Sequence, residues 1–277
     1  MKRSVLPTIK SPLRYPGGKS RALQQILPLI PDFQEFREPF VGGGSVFLAV
    51  KQGYPECRFW INDLYFDLYT FWQMTQTNLD AVVAQVIVWK NTYPDGRVLH
   101  RFLIENMPQF DDVARASAFF VFNRITFSGT TQAGGFSQQA FQKRFTNTSI
   151  ERLQQLQEVM QDVQITNFDY QQVVEQPGED VFIFLDPPYF SATPSALYGK
   201  SGQLHKVFDH QRFAEVMQHC PHKWLITYDN DDYIRDLFSF AHIKEWNLMY
   251  GMRNQTKNSN QLGKELFIAN YPMVIAG

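Results

Sequence analysis

The chain has 277 residues, 44% of them hydrophobic, enough for one large domain or a domain carrying a sizeable insertion, and nothing in the composition suggests disorder. Its 26 Lys and Arg against 27 Asp and Glu give a formal net charge of -1, which argues against a protein that coats nucleic acid nonspecifically, though not against an enzyme with a local basic face. Two cysteines, Cys57 and Cys220, exclude a disulfide framework, and no apolar run reaches membrane-spanning length, so a soluble, cytoplasmic protein is expected.

The first element with chemical content is Arg14-Tyr15-Pro16-Gly17-Gly18-Lys19-Ser20. Gly18-Lys19-Ser20 imitates the tail of a phosphate-binding loop, but that motif needs a glycine where this chain has Leu13, so a nucleoside triphosphatase is excluded. Residues 36–40 read as a short strand running into Val41-Gly42-Gly43-Gly44-Ser45, and residues 46–51 continue with helical apolar spacing. A strand, a glycine turn and a helix begin a Rossmann-like unit, in which glycine permits close backbone approach to a ligand. Residues 58–63 read as a second strand ending in Asp63, about twenty residues after the glycines, where such folds place a carboxylate that binds ribose hydroxyls.

From residue 67 to 152 the strand-helix alternation gives way to helical stretches, among them 79–89 and 113–123, the latter with Asp111 and Asp112 as caps. Basic residues gather in this region: Arg97, Arg101, Arg115, Arg124, Lys143, Arg144 and Arg152 outnumber Glu105, Asp111, Asp112 and Glu151. Residues 124–136 are rich in Gly and Thr and suit a hairpin or an irregular loop. A helix over 150–162 then leads to a strand over 163–166 that ends at Asn167-Phe168-Asp169.

The apolar run 181–185 reads as a buried strand that stops at Asp186-Pro187-Pro188-Tyr189, because proline removes backbone donors. On the tetrapeptide alone, an ordinary turn and a binding site stand equal. As a site, it presents an acid, rigid carbonyls and an aromatic ring at a strand's C-terminal end, where open α/β sheets bind ligands. Residues 190–205 read as a mobile loop, Asp209 caps a helix through His219, residues 224–228 form a core strand ending at Asp229, 253–264 form a polar loop, and 265–270 a last strand. His219-Cys220-Pro221-His222 matches no standard zinc spacing, and no metal is expected. Neither cysteine follows a proline, which excludes the nucleophile of a cytosine-C5 methyltransferase.

Taken in order, Tyr15-Pro-Gly-Gly-Lys19, Glu38-Pro39-Phe40-Val41-Gly42-Gly43-Gly44-Ser45, Asn62-Asp63, Asn123-Arg124, Phe168-Asp169 and Asp186-Pro-Pro-Tyr189 resemble the motifs of the Dam-like, D12 class DNA adenine-N6 methyltransferases. The resemblance spans almost the whole chain. It implies a Rossmann-like α/β sheet, a catalytic domain over 1–66 and 160–277, and an inserted, mainly helical target-recognition domain over 67–159 that carries a hairpin. It also implies S-adenosylmethionine as methyl donor and double-stranded DNA as partner, with a short palindrome such as GATC as the family's common target and no membrane role. A monomer is expected.

By this resemblance Tyr15, Gly17, Gly18 and Lys19 are the N-terminal cofactor contacts, with Tyr15 where some members carry tryptophan. Glu38, with Pro39, Phe40 and Ser45 around it, lies near the donor's methionine end. Gly42 and Gly44 let the backbone pass the donor, Asp63 holds its ribose, and Phe168 and Asp169 fall near its adenine. Asp186, Pro187, Pro188 and Tyr189 are the catalytic residues, and Arg124, Phe127, Ser128, Thr130, Thr131 and Gln132 the DNA contacts. For Phe127 two readings stay open, a wedge filling the space left by a flipped base and a core anchor for the loop.

Elementary chemistry agrees with the catalytic assignment. An adenine amine is a poor nucleophile because its lone pair is delocalised into the ring, and acceptors such as the Asp186 carboxylate and the Pro187 carbonyl favour the tetrahedral form. The alternatives at this stage are an amino-methyltransferase acting on cytosine N4 or RNA, and a noncatalytic DNA-binding module on the same fold. Aspartate at position 186 favours adenine by resemblance, whereas serine there would favour cytosine N4.

Overall fold

The structure, a computed structural model, describes residues 8–15, 17–129, 134–192, 208–248 and 263–273. Among them, seven strands form one sheet: β1 Glu35–Glu38, β2 Arg58–Asn62, β3 Val163–Thr166, β4 Val181–Leu185, β5 Lys223–Asp229, β6 His242–Leu248 and β7 Gly263–Ala269. Their spatial order is β3-β2-β1-β4-β5-β7-β6. The first five strands in that order pair in parallel, while β7 runs antiparallel between β5 and β6. The chain therefore steps outward from β1 to β3 and then returns to lay β4 on the other flank of β1. The crevice at the carboxyl ends of β1 and β4 is the switch point at which open α/β sheets bind ligands.

Helix α1 (Leu23–Ile26) precedes β1, and α2 (Ser45–Gly53) joins β1 to β2. Among the described residues, seven α-helices lie between β2 and β3: α3 Phe66–Thr77, α4 Leu79–Thr92, α5 Gly96–Asn106, α6 Asp112–Ile125, α7 Gln138–Arg144, α8 Asn147–Gln154 and α9 Leu156–Val159. Then α10 (Tyr170–Val174) leads to β4, α11 (His210–His219) precedes β5, and α12 (Asp232–Leu237) joins β5 to β6. The central strand β4 is apolar throughout because both faces of the sheet are covered there. In β4, Phe182 and Phe184 enter one core cluster with Phe36, Phe59 and Phe267, whereas Ile183 and Leu185 enter a second with Ile226, Tyr228 and Leu266.

The helical insertion is built around α6, whose residues from Ala116 to Ile125 are all buried and which packs against α3, α4, α5 and α7. As the sequence predicts, Asp111 caps it, accepting from the backbone N–H of Ala114 at 2.8 Å. Three expectations change. The strand expected over 36–40 ends at Glu38, since Pro39 has no N–H to continue a ladder. The helix expected over 150–162 is interrupted at Gln155 and ends at Val159, with Asp162 at a positive φ of 55°. Arg124, expected in the hairpin, still belongs to α6, and the loop begins only after Ile125.

That loop closes as a hairpin-like bridge. Thr126 pairs with Phe136 in an antiparallel bridge, Phe127 N–H donates to Gly135 O at 3.2 Å and Ser137 N–H donates to Ile125 O at 2.9 Å. Phe127–Gly129 forms a short 3-10 turn. Thr130, Thr131 and Gln132 lie outside the described residues, as do most of the loop expected at 190–205 and residues 253–262 of the polar loop. Strand β6 had no clear signature in the sequence.

Candidate active site

The sheet brings the tetrapeptide and the glycine turn together. Asp186 follows the last residue of β4, and its carboxylate is gripped from two sides. Lys19 Nζ lies 2.7 Å from both carboxylate oxygens, and Thr227 on β5 donates its hydroxyl to Oδ1 at 2.8 Å. Lys19 is only 4% exposed and also donates to Gly17 O at 2.9 Å, so the Gly-Gly-Lys element is a lysine clamp on the β4 acid. An ionised carboxylate offers about four lone-pair sites, so these partners leave room for one further donor.

Tyr189 completes the motif. Its hydroxyl donates to Glu265 Oε2 at 2.8 Å, its ring lies against Tyr228 with centroids 5.9 Å apart, and Lys19 Nζ stands 4.9 Å from the ring centroid. Pro187 is buried and Pro188 half-buried. After them, Asp229 accepts from the backbone N–H groups of Phe190 at 3.1 Å and Ser191 at 2.7 Å, the turn-capping role its strand-end position suggests.

The glycine turn is shaped by protein neighbours. Gly42 and Gly44 have positive φ values of 46° and 65°, which L residues with side chains seldom adopt. A Cβ on Gly42 would lie 2.9 Å from the Tyr15 ring, and one on Gly44 would lie 2.7 Å from the Trp72 ring. Trp72 fastens the turn further by donating its indole N–H to Gly42 O at 3.1 Å. Gly18 N–H donates to Tyr15 O at 3.0 Å, which folds the N-terminal segment back so that Tyr15 covers the turn. Ser45 opens α2 directly after Gly44.

Asp63 accepts from Gly42 N–H and from Tyr65 N–H, both at 3.0 Å, and burial pushes its carboxyl up to about 6. Asn62 ties three strand ends together: its amide donates to Pro39 O and Phe168 O at 3.0 Å, and its carbonyl accepts from Phe168 N–H and the Thr166 hydroxyl at 2.8 Å. Phe168 is thereby held with an exposed ring. Asp169 caps α10 and pairs with Arg212 at 2.9 Å, so its carboxylate serves the protein's own structure. Phe40 turns toward the second core, against Tyr170, Phe208 and Phe213.

Glu38 is the unusual member of the set. It is 3% exposed, and its Oε2 is a buried atom with no hydrogen-bond partner among the described residues. Burial, then repulsion from Asp186, holds its carboxyl well above the usual range, with Asp63 adding to the rise while the Phe47 backbone N–H and Lys19 oppose it. Glu38 shares its surroundings with Asp186, Asp63 and the single cation Lys19, and this orphaned buried acid suits a positively charged small molecule, which would favour its ionised form. The residues present therefore fit the cationic methionine end of S-adenosylmethionine.

A pH dependence follows. Both carboxyls have a folded-state pKa raised above the unfolded value, so the folded state holds their protons more tightly, and the stability this gives is lost as pH rises. For Asp63 the loss runs from 3.8 to about 6, and for Glu38 it continues upward from 4.5. Thermal unfolding of the ligand-free protein between about pH 5 and 8 is expected to show Glu38→Gln with a shallower decline than the parent. Identical slopes would contradict the assignment.

On the insertion side, Asn123 accepts from Arg14 N–H and donates to Arg14 O, both at 2.8 Å, and also donates to Gly129 O at 3.3 Å. One buried amide thus connects the hairpin-like loop to the segment that carries Tyr15 and Lys19. Arg124 is 5% exposed and its guanidinium lies 5.3 Å from the Phe120 ring. Phe127 is 63% exposed, which decides against the core-anchor reading of its ring. Ser128 lies in the 3-10 turn.

Thr227, Glu265 and Trp72 were absent from the sequence assignment, since each lies far along the chain from the motif it serves. His219, Cys220 and His222 each contact a backbone carbonyl instead of converging, and among the described residues no group of His, Cys, Asp or Glu is arranged to hold a metal ion. No helix among them is long and apolar enough to cross a membrane.

The chain is 28% identical over 238 residues to the DNA N-6-adenine-methyltransferase of Escherichia phage P1, a match covering 83% of this chain but 31% of that protein, so the chain spans about a third of the phage protein's length. It is 24% identical over 202 residues to the type II methyltransferase M.MjaIII of Methanocaldococcus jannaschii, covering 65% of this chain and 69% of that one. It is 26% identical over 188 residues to the DNA adenine methylase of Vibrio cholerae, covering 66% of each. Residues 15–252, from the Tyr15 element past the last parallel strand, match the family model for these enzymes, and the chain belongs to the D12 class of N6 adenine-specific DNA methyltransferases.

Proposed function

We propose that this protein transfers a methyl group from S-adenosylmethionine to the exocyclic N6 of an adenine flipped out of duplex DNA. The observation that carries the reading is Asp186, fixed at the end of β4 by Lys19 and Thr227 with a lone-pair site to spare. Bound S-adenosylmethionine supplies an electrophilic methyl carbon on a sulfonium. Glu38 offers its orphaned carboxylate to the donor's cationic end, Asp63 keeps lone pairs for the ribose hydroxyls, and the exposed Phe168 ring takes the adenine. Tyr15, Gly17, Gly18, Pro39, Gly42, Gly44 and Ser45 frame the pocket, while Phe40 anchors the turn in the second core and Asp169 acts through its cap on α10.

At the target base, Asp186 takes one N–H of the amine and the Pro187 carbonyl the other, with Pro188 keeping that carbonyl rigid. This draws the nitrogen toward tetrahedral geometry. The bond to Asp186 strengthens as positive charge develops, so it favours the transition state over the ground state. Tyr189 stacks on the base.

In the same reading, residues 67–159 recognise DNA and residues 1–66 with 160–277 hold the donor and the chemistry, in an intracellular monomer. The electrostatics support an anionic partner near the loop. Burial first, then repulsion from Arg14, Arg152 and Arg144, lowers Arg124 to about 9, and burial, then repulsion from Arg144, lowers Arg14 to about 10. Among the described residues none of these four guanidiniums forms an ion pair.

Mass analysis of nucleosides from duplex DNA treated with the protein and S-adenosylmethionine tests the proposal. N6-methyladenine is expected; N4-methylcytosine alone, or no methylation, would overturn it. The exposed Phe127 ring gives a second test. Replacing it by alanine should lower kcat/KM for DNA roughly 10- to 100-fold while leaving donor affinity unchanged in calorimetry. A rate equal to that of the parent would place the ring away from the DNA.

A further inference from the structure

We infer that one face of the β5–β7 pair is a template that positions the acceptor motif, with Glu265 as its most telling member; the inference rests on the proposed function. In the antiparallel register of these strands, Asp229 lies opposite Glu265 and Thr227 opposite Phe267. Residues two apart on a strand share a face, and so do residues paired across it. Thr227, Asp229 and Glu265 therefore project from the same side. Each holds a different part of one stretch of chain: Thr227 donates to Asp186 at 2.8 Å, Glu265 accepts from the Tyr189 hydroxyl at 2.8 Å, and Asp229 accepts from Phe190 and Ser191 N–H at 3.1 and 2.7 Å. Every second polar group on the rigid sheet thus fixes the next part of the motif.

Glu265 argues most strongly for position over stability. It is 2% exposed, in a strand whose following residues Leu266, Phe267, Ile268 and Ala269 are all buried and apolar. Taking a carboxylate out of water is costly, and an apolar side chain of similar volume in such a place usually serves folding as well or better. What an apolar side chain would lose is the grip on the Tyr189 hydroxyl. That grip anchors the ring at its hydroxyl end, while Tyr228, stacked with 28° between the planes, and Lys19 contact the ring itself. A ring serving as a stacking platform must hold its plane before the base arrives, since misplacement of about 1 Å is enough to cost two orders of magnitude in rate.

The test is a double-mutant cycle in single-turnover methylation of duplex DNA by the full-length protein, using Glu265→Leu, Tyr189→Phe and the pair together. Glu265→Leu is expected to lower kcat about 10- to 100-fold with KM for S-adenosylmethionine unchanged, and Tyr189→Phe to do the same, because either removes the same hydrogen bond. The double variant should lose no more than either single one. Glu265→Gln, which keeps an acceptor oxygen, should recover most of the rate. Losses that add in the double variant, or a Glu265→Gln rate as low as that of Glu265→Leu, would overturn the inference. If Glu265→Leu fails to fold, Tyr189→Phe alone removes the hydrogen bond, and a Tyr189→Phe rate equal to the parent's would overturn the inference. A parent protein that leaves DNA unmethylated would overturn the proposed function itself, a result distinct from additive losses in an active enzyme.

Discussion

Asp186→Ala is expected to reduce methyl transfer to duplex DNA by about 10³-fold or more, since the charge-assisted acceptor at the reacting nitrogen disappears and such groups contribute 10²–10³ even singly. The structure adds a second effect that the tetrapeptide alone does not reveal. Lys19 is buried and Asp186 is the acid paired with it, so removing the acid strands a cation. Breaking such a pair costs on the order of 3 kcal/mol, which lowers Tm by roughly 5–10 °C in a chain of this size. The substitution is therefore expected to lower stability as well as activity. Lys19→Met combined with Asp186→Ala should regain much of the lost Tm without regaining activity. Kinetics of nucleoside methylation and thermal unfolding separate the two effects, and a near-parental rate for Asp186→Ala would sink the mechanism.

Gly44→Ala should be a strongly damaging single-methyl change, because it combines a left-handed backbone with a buried clash. Position 44 has φ at 65°, where a Cβ costs roughly 1–2 kcal/mol. The new carbon would lie 2.7 Å from the Trp72 ring, which is fully buried and donates to Gly42 O, so relief requires moving a core tryptophan, at a further cost of about 1–3 kcal/mol. The turn carries Gly42 N–H to Asp63, so displacement should reach the donor pocket. We expect donor affinity to fall at least about ten-fold, the equivalent of 1.4 kcal/mol, together with a clear loss in Tm. Gly43→Ala is the useful comparison, because its clash is with Tyr15 Cβ at 2.8 Å and its φ is not positive. Parental binding and Tm in Gly44→Ala would refute the argument.

Much of this molecule is legible along the chain, for local reasons. Val181–Leu185 is apolar at every position because a central parallel strand is covered on both faces, and the prolines after it end the ladder wherever the strand sits. The caps at Asp111 and Asp209 are equally local, each aspartate accepting from an N–H three residues on, whereas the Asp169 cap shows only in the structure. The glycine turn announces itself because positive φ is affordable mainly to glycine. Strand β6 escapes notice because it is an edge strand whose sequence, His242–Leu248, alternates polar and apolar residues too weakly to stand out.

What the sequence by itself determined is the set of reactive groups and their order: the Gly-Gly-Lys element, the glycine turn, Asp63 and the Asp186 motif, each recognisable because its chemistry resides in neighbouring residues. What only the tertiary structure decided is which distant residues hold those groups. Lys19 meets Asp186 across 167 positions, Asn123 meets Arg14 across 109, and Glu265 meets Tyr189 across 76. No periodicity encodes such pairs. They exist because the sheet order sets β4 between β1 and β5 and lays β7 antiparallel beside β5, and because α6 packs against the N-terminal segment; that packing turns separate polar residues into one site.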